Sequence, residues 1–172
     1  AMEKETRNLL LIGMPGCGKS TVGRALAERL GRQLVDLDEL IERETVRSIP
    51  DIFAREGEVY FRRLEHDALW NVMQYAMLAH FLARESGLVI AAGGGIVTQP
   101  DNLAPMRQNS TVIFLKRDVS LLPVEGRPVS QANNLQELYR RRLPLYEAAC
   151  DLELENHRVE DTVEEIIRRL GL

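Results

Sequence analysis

Short apolar runs alternate along the chain with longer segments whose apolar residues recur every three or four positions. Five runs have the length of strands, and they cover residues 8–12, 33–36, 88–92, 111–115 and 151–155. The first, third and fourth are almost wholly apolar, which is typical of strands buried on both faces of a parallel sheet. The fifth alternates apolar and acidic residues, which predicts a half-exposed strand at an edge of the sheet.

The segments between the runs have the periodicity of amphipathic helices. Val22, Leu26 and Leu30 recur at four-residue spacing before Gly31, which predicts a helix that ends at this glycine. Further helices are predicted over residues 37–45, 58–84 and 159–170. In the longest of them, Trp70 and the methionines are interpreted as residues of the hydrophobic core.

Strands that alternate with helices predict an α/β domain with a mainly parallel central sheet. The 172 residues fit one domain. Residues 116–134 contain two prolines, a glycine and few apolar side chains. A connection of this length inside a compact domain usually has a function. A surface loop without a function is the alternative.

Composition and charge narrow the classes of partner. A formal net charge of −4 gives no general attraction to nucleic acids. No apolar run approaches the ~20 residues of a membrane-spanning helix, and the polar, acidic start does not resemble a signal peptide. Cys17 and Cys150 are far apart and match no metal-ligand spacing, which favours reduced thiols. We therefore expect a cytoplasmic protein that binds neither nucleic acid nor membrane.

The clearest chemical motif is the segment 13–20, which reads G-M-P-G-C-G-K-S and fits the pattern G-x-x-x-x-G-K-S/T. Its glycines let backbone N–H groups turn inward around phosphate oxygens, and the following helix points its positive end at the same anion. Lys19 is expected to reach the β- and γ-phosphates, and Ser20 is expected to bind Mg²⁺. The predicted ATP-binding residues are Gly13, Gly16, Cys17, Gly18, Lys19, Ser20 and Thr21.

Two points qualify this motif. Cys17 has two interpretations, a small filler side chain, which we favour, and a thiol made reactive by the helix N-terminus. The guanine-binding pattern N-K-x-D does not occur in the sequence, which argues against a GTPase. The motif alone predicts nucleotide binding and does not distinguish a kinase from other nucleotide-binding proteins.

Candidate acceptor-binding groups follow two other predicted strands, at the edge where the ligand crevice of a parallel sheet lies. Asp36 and Asp38 share one face of an extended backbone, so one carboxylate is available for Mg²⁺ and the other for an acceptor hydroxyl. Helix capping by Asp38 is the alternative. Gly93, Gly94 and Gly95 expose bare N–H groups to an anion or a hydroxyl.

The long predicted helix carries two adjacent arginines, Arg62 and Arg63. The planar fork of arginine suits two-point binding of a carboxylate. Adjacent helical residues diverge by about 100°, so only one of the two can point into a site. A solvated surface arginine is the alternative for either residue.

Together these motifs resemble the shikimate kinase family, P-loop kinases related to nucleoside monophosphate kinases. The resemblance spans about residues 9–170 and rests on six motifs in the order and approximate spacing of that family. They are the phosphate loop, Asp36-x-Asp38, the run 61–65 (F-R-R-L-E), the triple glycine, Arg127-Pro128 and the run 142–146 (R-L-P-L-Y).

The resemblance implies a fold and an activity. The fold would be a three-layer P-loop kinase fold, with a five-stranded parallel sheet of order 2-3-1-4-5, helices on both faces and a lid loop at about residues 116–134. The helices at about residues 37–84 would bind the acceptor. The activity would be Mg²⁺-dependent transfer of the γ-phosphoryl group of ATP to the 3-hydroxyl of shikimate, in aromatic amino-acid biosynthesis. We expect a monomer.

The resemblance also assigns roles to single residues. Ser20 and Asp36 would serve Mg²⁺, the aspartate from the outer coordination shell. Asp38 would hydrogen bond to the acceptor hydroxyls and take up a proton. Arg62 and Arg142 would clamp the shikimate carboxylate.

The remaining implied roles concern orientation, the pocket wall and the lid. Glu65 would orient Arg62. Arg127 would close over the transferring phosphoryl group and would complete a catalytic set with Lys19 and Asp38. The acceptor pocket would be lined by Gly93, Gly94, Gly95, Phe53 and Phe61.

One departure from the family pattern and two alternatives accompany this reading. Family members usually carry an arginine upstream of Arg127 that stacks on adenine, but residues 121–126 contain none, and Arg117 lies too close to a strand end for that role. Another small-metabolite kinase, acting on gluconate or a nucleoside monophosphate, would leave Arg62 and Arg142 unexplained. A regulatory nucleotide-binding module without transfer activity is favoured only by the shortened lid.

Overall fold

The computed structural model describes residues 6–122 and 129–172, with side chains from residue 134 onward in the second range. The five strands are β1 (Asn8–Ile12), β2 (Leu34–Asp36), β3 (Val89–Ala91), β4 (Ser110–Lys116) and β5 (Leu152–Glu155). The helices are α1 (Lys19–Leu30), α2 (Leu37–Thr45), α3 (Ile49–Glu56), α4 (Glu58–Ala83), α5 (Leu103–Arg107), α6 (Val129–Ala149) and α7 (Val159–Leu170). Short 3₁₀ turns cover Ile96–Thr98, Pro100–Asn102 and Val119–Leu121.

All five strands pair in parallel, in the order β2-β3-β1-β4-β5. The predicted fold class is therefore confirmed. The strand β1 lies at the centre, where Leu10 pairs with Ile90 on one side and Val112 on the other. Every residue of β1 is buried, as its apolar composition predicts. The strands beside β1 are β3 on one side and β4 on the other, so the chain order of the sheet reverses at β1. Parallel sheets bind ligands at such a switch point.

Helices cover the sheet and fix the position of the crevice at its carboxyl edge. Helix α1 packs against β3 and α7, and α4 packs against α2, α3 and α5. Gly23 of α1 allows close packing, because an added Cβ would lie 3.1 Å from Leu34 and 3.4 Å from Leu11. No helix within the described ranges is long and apolar enough to cross a bilayer.

The structure corrects one sequence-based expectation and adds one helix. Trp70 and Met77 are half exposed, although Met73 is 1% exposed and belongs to the core. Helix α6, which was not predicted from the sequence, begins at Val129, within the range 116–134 predicted as a lid loop. Pro144 interrupts the hydrogen bonds of this helix.

Candidate active site

The phosphate loop joins β1 to α1 at the centre of the sheet. Gly13, Gly16 and Gly18 have φ angles of 150°, 81° and 100°, in the region that favours glycine. An added Cβ at Gly13 would lie 2.5 Å from the carbonyl oxygen of Leu115, and one at Gly18 would lie 2.5 Å from the Asn156 amide. The loop adopts this conformation only because these positions lack side chains.

The N-terminus of α1 faces the space that the loop encloses. Its N-cap, Gly18, offers no side-chain oxygen, so the first-turn N–H groups and the helix dipole stay available for an anion. Lys19 is 8% exposed and donates to the carbonyl oxygens of Gly13 at 2.7 Å and Met14 at 2.9 Å. The ammonium group is thus held beside the loop, where a bound phosphate would meet it.

Ser20 and Asp36 come together at the next position along α1. The Ser20 hydroxyl donates to Asp36 Oδ2 at 2.5 Å, and Asp36 Oδ1 accepts from the backbone N–H of Glu39 at 3.2 Å, which caps α2. A hydroxyl and a carboxylate are ligands that suit Mg²⁺. Across the described ranges no three His, Cys, Asp or Glu side chains group into a metal site, so a metal here would need phosphate and water ligands as well.

A crevice of about 470 Å³ holds these groups together with two predicted acceptor residues, Asp38 and Gly94. Arg62 lines a separate cavity of about 400 Å³. The crevice is bounded by the carboxyl ends of β1, β2 and β3 and by the start of α1. Its wall includes Gly16, Gly18, Lys19, Ser20, Thr21, Asp36, Asp38 and Gly94. The structure therefore brings most of the predicted nucleotide residues and two of the predicted acceptor residues into one crevice.

Asp38 lies in this crevice with one oxygen unpaired. Its Oδ1 is buried and has no hydrogen-bond partner among the described residues. Burial raises the pKa of Asp38, Asp36 adds to the rise, and Lys19 and Arg62 oppose it. Capping is not the task of this side chain, because Asp36 caps α2 instead. A buried acceptor without a donor is costly, and the Asp38 carboxylate as a whole lines the crevice, so it is suited to accept a hydrogen bond there from a ligand.

Arg62 is buried and Arg63 is exposed, so Arg62 is the one of the two adjacent arginines that points into the protein. The Arg62 guanidinium donates to Glu65 Oε1 at 3.0 Å. Its central carbon lies 5.9 Å from the Phe53 ring centroid and 5.5 Å from that of Phe61, and the two centroids are 4.7 Å apart, so the rings form one aromatic surface beside it. The predicted apolar wall and the predicted clamp are thus in contact.

Glu65 faces Asp38 across the glycine turn. An added Cβ at Gly93 would lie 2.8 Å from both Glu65 Oε2 and Asp38 Oδ1. Burial raises the pKa of Glu65, whereas Arg62 lowers it and Arg142 also acts to lower it. The positive charges of both clamp arginines therefore reach this buried carboxylate, which agrees with a role in orienting Arg62.

The triple glycine packs tightly between the two halves of the site. At Gly94 an added Cβ would lie 2.7 Å from the Pro15 side chain of the phosphate loop. At Gly95 it would overlap the Arg62 guanidinium. Glycine is required here because the turn is in direct contact with the nucleotide loop on one side and with the clamp on the other.

Two residues of this region were given no role of their own by the sequence analysis. Asn156 follows β5, is 3% exposed and donates to the carbonyl oxygen of Cys17 at 2.7 Å. Thr162 donates to Asn156 Oδ1 at 2.7 Å and so fixes the amide. The available signal in the sequence was an asparagine directly after the predicted strand 151–155. The second missed residue is Tyr146, whose hydroxyl donates to the carbonyl oxygen of Gly94 at 2.6 Å.

The remaining predicted residues are placed as follows. Cys17 is a free thiol, 1% exposed, and packs beneath Gly13, which fits the filler interpretation. Arg142 is half buried on α6. Arg127, the predicted lid arginine, lies outside the described residues.

Comparison with known proteins agrees with this geometry. A family model described as "Shikimate kinase" matches residues 15–171. A curated shikimate kinase from Dehalococcoides mccartyi is 39% identical over 162 residues, which cover 90% of this chain and 86% of the relative. The chain belongs to the shikimate kinase family.

Solved shikimate kinases share the fold. The enzyme from Acinetobacter baumannii in complex with shikimate aligns with a TM-score of 0.84 and 34% identity, over 96% of this chain and 93% of that one. The enzyme from Aquifex aeolicus aligns with a TM-score of 0.77 and 30% identity, over 95% and 96% respectively. The predictions of family, fold and kinase activity are confirmed, and ATP is the phosphoryl donor that a kinase of this family uses.

Proposed function

We propose that the chain transfers the γ-phosphoryl group of ATP to the 3-hydroxyl of shikimate, with the residue roles given below. The observation that carries these roles is the position of Asp38. Asp38 lines the same crevice as Lys19 and Ser20, and its buried, unpaired Oδ1 lies beside Glu65, which accepts a hydrogen bond from Arg62. An alcohol bound at Asp38 would therefore lie between the phosphate loop and a carboxylate clamp.

On the nucleotide side, the loop and the start of α1 bind the phosphates through backbone N–H groups. Lys19 balances the charge of the γ-phosphoryl group as it leaves ADP, because its ammonium group already lies at the loop. Phosphoryl transfer through a loose transition state asks mainly for such positioning and positive charge. Thr21 lines the crevice next to Ser20 and contributes to the same wall.

On the acceptor side, Arg62 and Arg142 bind the carboxylate of shikimate, and Asp38 binds the hydroxyl. The fixed separation between the clamp and Asp38 selects an acid that carries an alcohol at the matching distance. Asp38 orients the hydroxyl and takes up its proton as the new P–O bond forms. The raised pKa of Asp38 makes it a better proton acceptor than an exposed aspartate when it is ionised.

Mg²⁺ is part of the proposal, and Ser20 and Asp36 are the residues that would hold it. The hydroxyl oxygen would contact the ion directly, and the carboxylate would bind its water ligands. A bound Mg²⁺ would neutralise charge on the β- and γ-phosphate oxygens. The Ser20–Asp36 hydrogen bond supports this assignment because it keeps both oxygens at the phosphate end of the crevice.

The proposal extends to features that stay predictions. We propose that residues 1–172 act as one domain, that the lid region carries Arg127 over the phosphoryl group, and that the helices of residues 37–84 hold the acceptor. We further propose a monomer that works in the cytoplasm without nucleic-acid or membrane partners. The free thiols of both cysteines agree with a reducing compartment.

An assay of ADP release with Mg·ATP tests the proposed function. Shikimate, gluconate and AMP are offered in parallel, at equal concentration. We expect rapid ADP release with shikimate and only background release with the other two. Turnover of gluconate or AMP at the rate of shikimate, or no turnover of shikimate, would refute the proposal. The Asp38→Asn variant serves as the negative control.

A further inference from the structure

Tyr146 is a buried tyrosine whose hydroxyl has a specific task. The residue is 0% exposed, and its ring stacks on Phe114 of β4 with centroids 4.9 Å apart and an interplanar angle of 27°. Packing of this kind needs only the ring, and phenylalanine would supply it. A hydroxyl carried into the core lowers stability unless it is hydrogen bonded, so its presence points to the bonds it makes.

The hydroxyl forms a hydrogen bond with the glycine turn, the proposed wall of the acceptor pocket. The Tyr146 hydroxyl donates to the carbonyl oxygen of Gly94 at 2.6 Å and lies 3.8 Å from Met14 Sδ. Gly94 in turn packs on Pro15, where no side chain would fit. The Tyr146 hydroxyl therefore holds the middle of the glycine turn at the point where this turn contacts the phosphate loop.

The same helix carries one arginine of the proposed clamp. Arg142 precedes Tyr146 by one turn of α6 and so lies on the same face of the helix. Burial raises the pKa of Tyr146 to about 12, although the positive charge of Arg142 acts to lower it, so the hydroxyl stays protonated near neutral pH. It therefore remains a donor to the Gly94 carbonyl oxygen.

We propose that Tyr146 is a positioning residue for the transfer reaction. Its hydroxyl ties α6 to the Gly94 carbonyl and so fixes the helical turn that carries Arg142 relative to the glycine turn, and this aligns the acceptor carboxylate with the wall against which the acceptor ring lies. The inference rests on the proposed function, since it assumes an acceptor acid at Arg142. It adds a residue to the site that touches neither phosphate nor Asp38.

Steady-state kinetics of Tyr146→Phe test this role. Loss of one hydrogen bond between neutral groups corresponds to about a twofold to tenfold change, so we expect KM for shikimate to rise by about fivefold. KM for ATP should stay within about twofold, because Lys19 and the loop keep their own contacts. Tyr75→Phe, a half-exposed tyrosine on α4, is the matched control and should leave both constants unchanged.

A double-mutant cycle with Arg142→Lys separates positioning from packing. If Tyr146 acts through Arg142, the Tyr146→Phe substitution should raise KM for shikimate much less in the Arg142→Lys background than in the wild type. Additive effects would overturn the proposal. A lowered melting temperature with unchanged KM values would also overturn it, because the hydroxyl would then serve stability alone.

The wild-type protein distinguishes this failure from failure of the proposed function. No transfer to shikimate by the wild type would refute the function and the role of Tyr146 with it. Normal wild-type transfer together with an unchanged KM in Tyr146→Phe would refute only the role of Tyr146.

Discussion

At the scale of single residues, burial distinguishes Arg62 from Arg63 and leads us to propose Arg62 as the carboxylate clamp. Both carry the same charge and occupy neighbouring positions on α4, but Arg62 is buried against a pair of adjacent aromatic rings while Arg63 is exposed. Burial places the Arg62 fork in a fixed plane, held by Glu65 at 3.0 Å. A fixed fork can bind a carboxylate at two points, which a lysine cannot do.

The Arg62→Lys variant should therefore lose affinity for the acceptor while it keeps the charge. We expect KM for shikimate to rise about tenfold to a hundredfold, since one charge-assisted hydrogen bond is worth about 1.5–3 kcal/mol. KM for ATP should change little. Arg63→Lys is the matched control with the same chemical change one position away. Equal effects of the two variants on KM for shikimate would contradict the assignment.

Asp38 should reduce stability at neutral pH because its charged form is buried. Its folded-state pKa is raised above the unfolded value, so the folded state binds the proton more tightly. The stability that protonated Asp38 contributes is thus fully present below the unfolded pKa of about 3.9. It is lost as the pH rises through the folded-state pKa. The Asp38→Asn substitution removes this pH-dependent loss of stability, and it also removes the proposed proton acceptor.

We therefore expect Asp38→Asn to be inactive and more stable than the wild type at pH 7. The melting temperature should rise by roughly 2–4 °C, the shift that about 1 kcal/mol produces in a chain of this length. The gain should shrink as the pH is lowered toward 4, and melting curves recorded by calorimetry across this range measure it. A gain that grows on acidification would show that the sign is wrong.

Some residue roles were accessible from sequence and others were not. The phosphate loop was predicted because each fixed residue has a backbone reason that does not depend on distant parts of the chain. The choice of Arg62 over Arg63 depends on how α4 is rotated against its neighbours, which tertiary packing sets. Tyr146 and Asn156 act on the carbonyl oxygens of Gly94 and Cys17, and sequence does not show which carbonyl a buried donor will face.

At the scale of elements, helix α4 shows how far periodicity predicts burial. Its 26 residues are apolar on more than one side, so the sequence does not mark a single buried stripe. Leu69 is 0% exposed and the adjacent Trp70 is 49% exposed. The interpretation of Trp70 as a core residue was wrong because the helix packs through the face of Leu69 and Met73 instead.

This difference predicts unequal losses of stability at neighbouring positions. Leu69→Ala should lower the free energy of unfolding by about 2–5 kcal/mol, because it leaves a cavity in a closed core. Trp70→Ala should lower it by about 1 kcal/mol or less, since half of the side chain is already in water. Urea denaturation followed by circular dichroism measures both. Equal losses would mean that Trp70 is packed more tightly than its exposure indicates.

The elements themselves were predicted well where the signal is local. The apolar strands and the helices that end at glycine were found within a few residues of their bounds. Helix α6 was missed because Pro144 and the run of arginines at 140–142 obscure its periodicity, and its packing against β4 stabilises it from outside the segment.

At the scale of the whole molecule, the parallel sheet brings distant segments to one edge. The strand order places the ends of β1, β2 and β3 side by side, and the phosphate loop, Asp38 and the triple glycine follow these three strands. No single motif specifies an acceptor. We propose that the juxtaposition of these motifs does so, because Asp38 lines the crevice of the phosphate loop while its buried Oδ1 lies beside Glu65, the hydrogen-bond partner of Arg62.

Analysis of the reaction products tests this account most directly. Purified protein is incubated with Mg·ATP and shikimate, and the mixture is followed by ³¹P and ¹H NMR. The account predicts ADP and one phosphomonoester in equal amounts, with the phosphate on the 3-hydroxyl. ADP with inorganic phosphate alone, or a phosphate on another hydroxyl, would show that Asp38 does not hold the acceptor as proposed and would contradict the account.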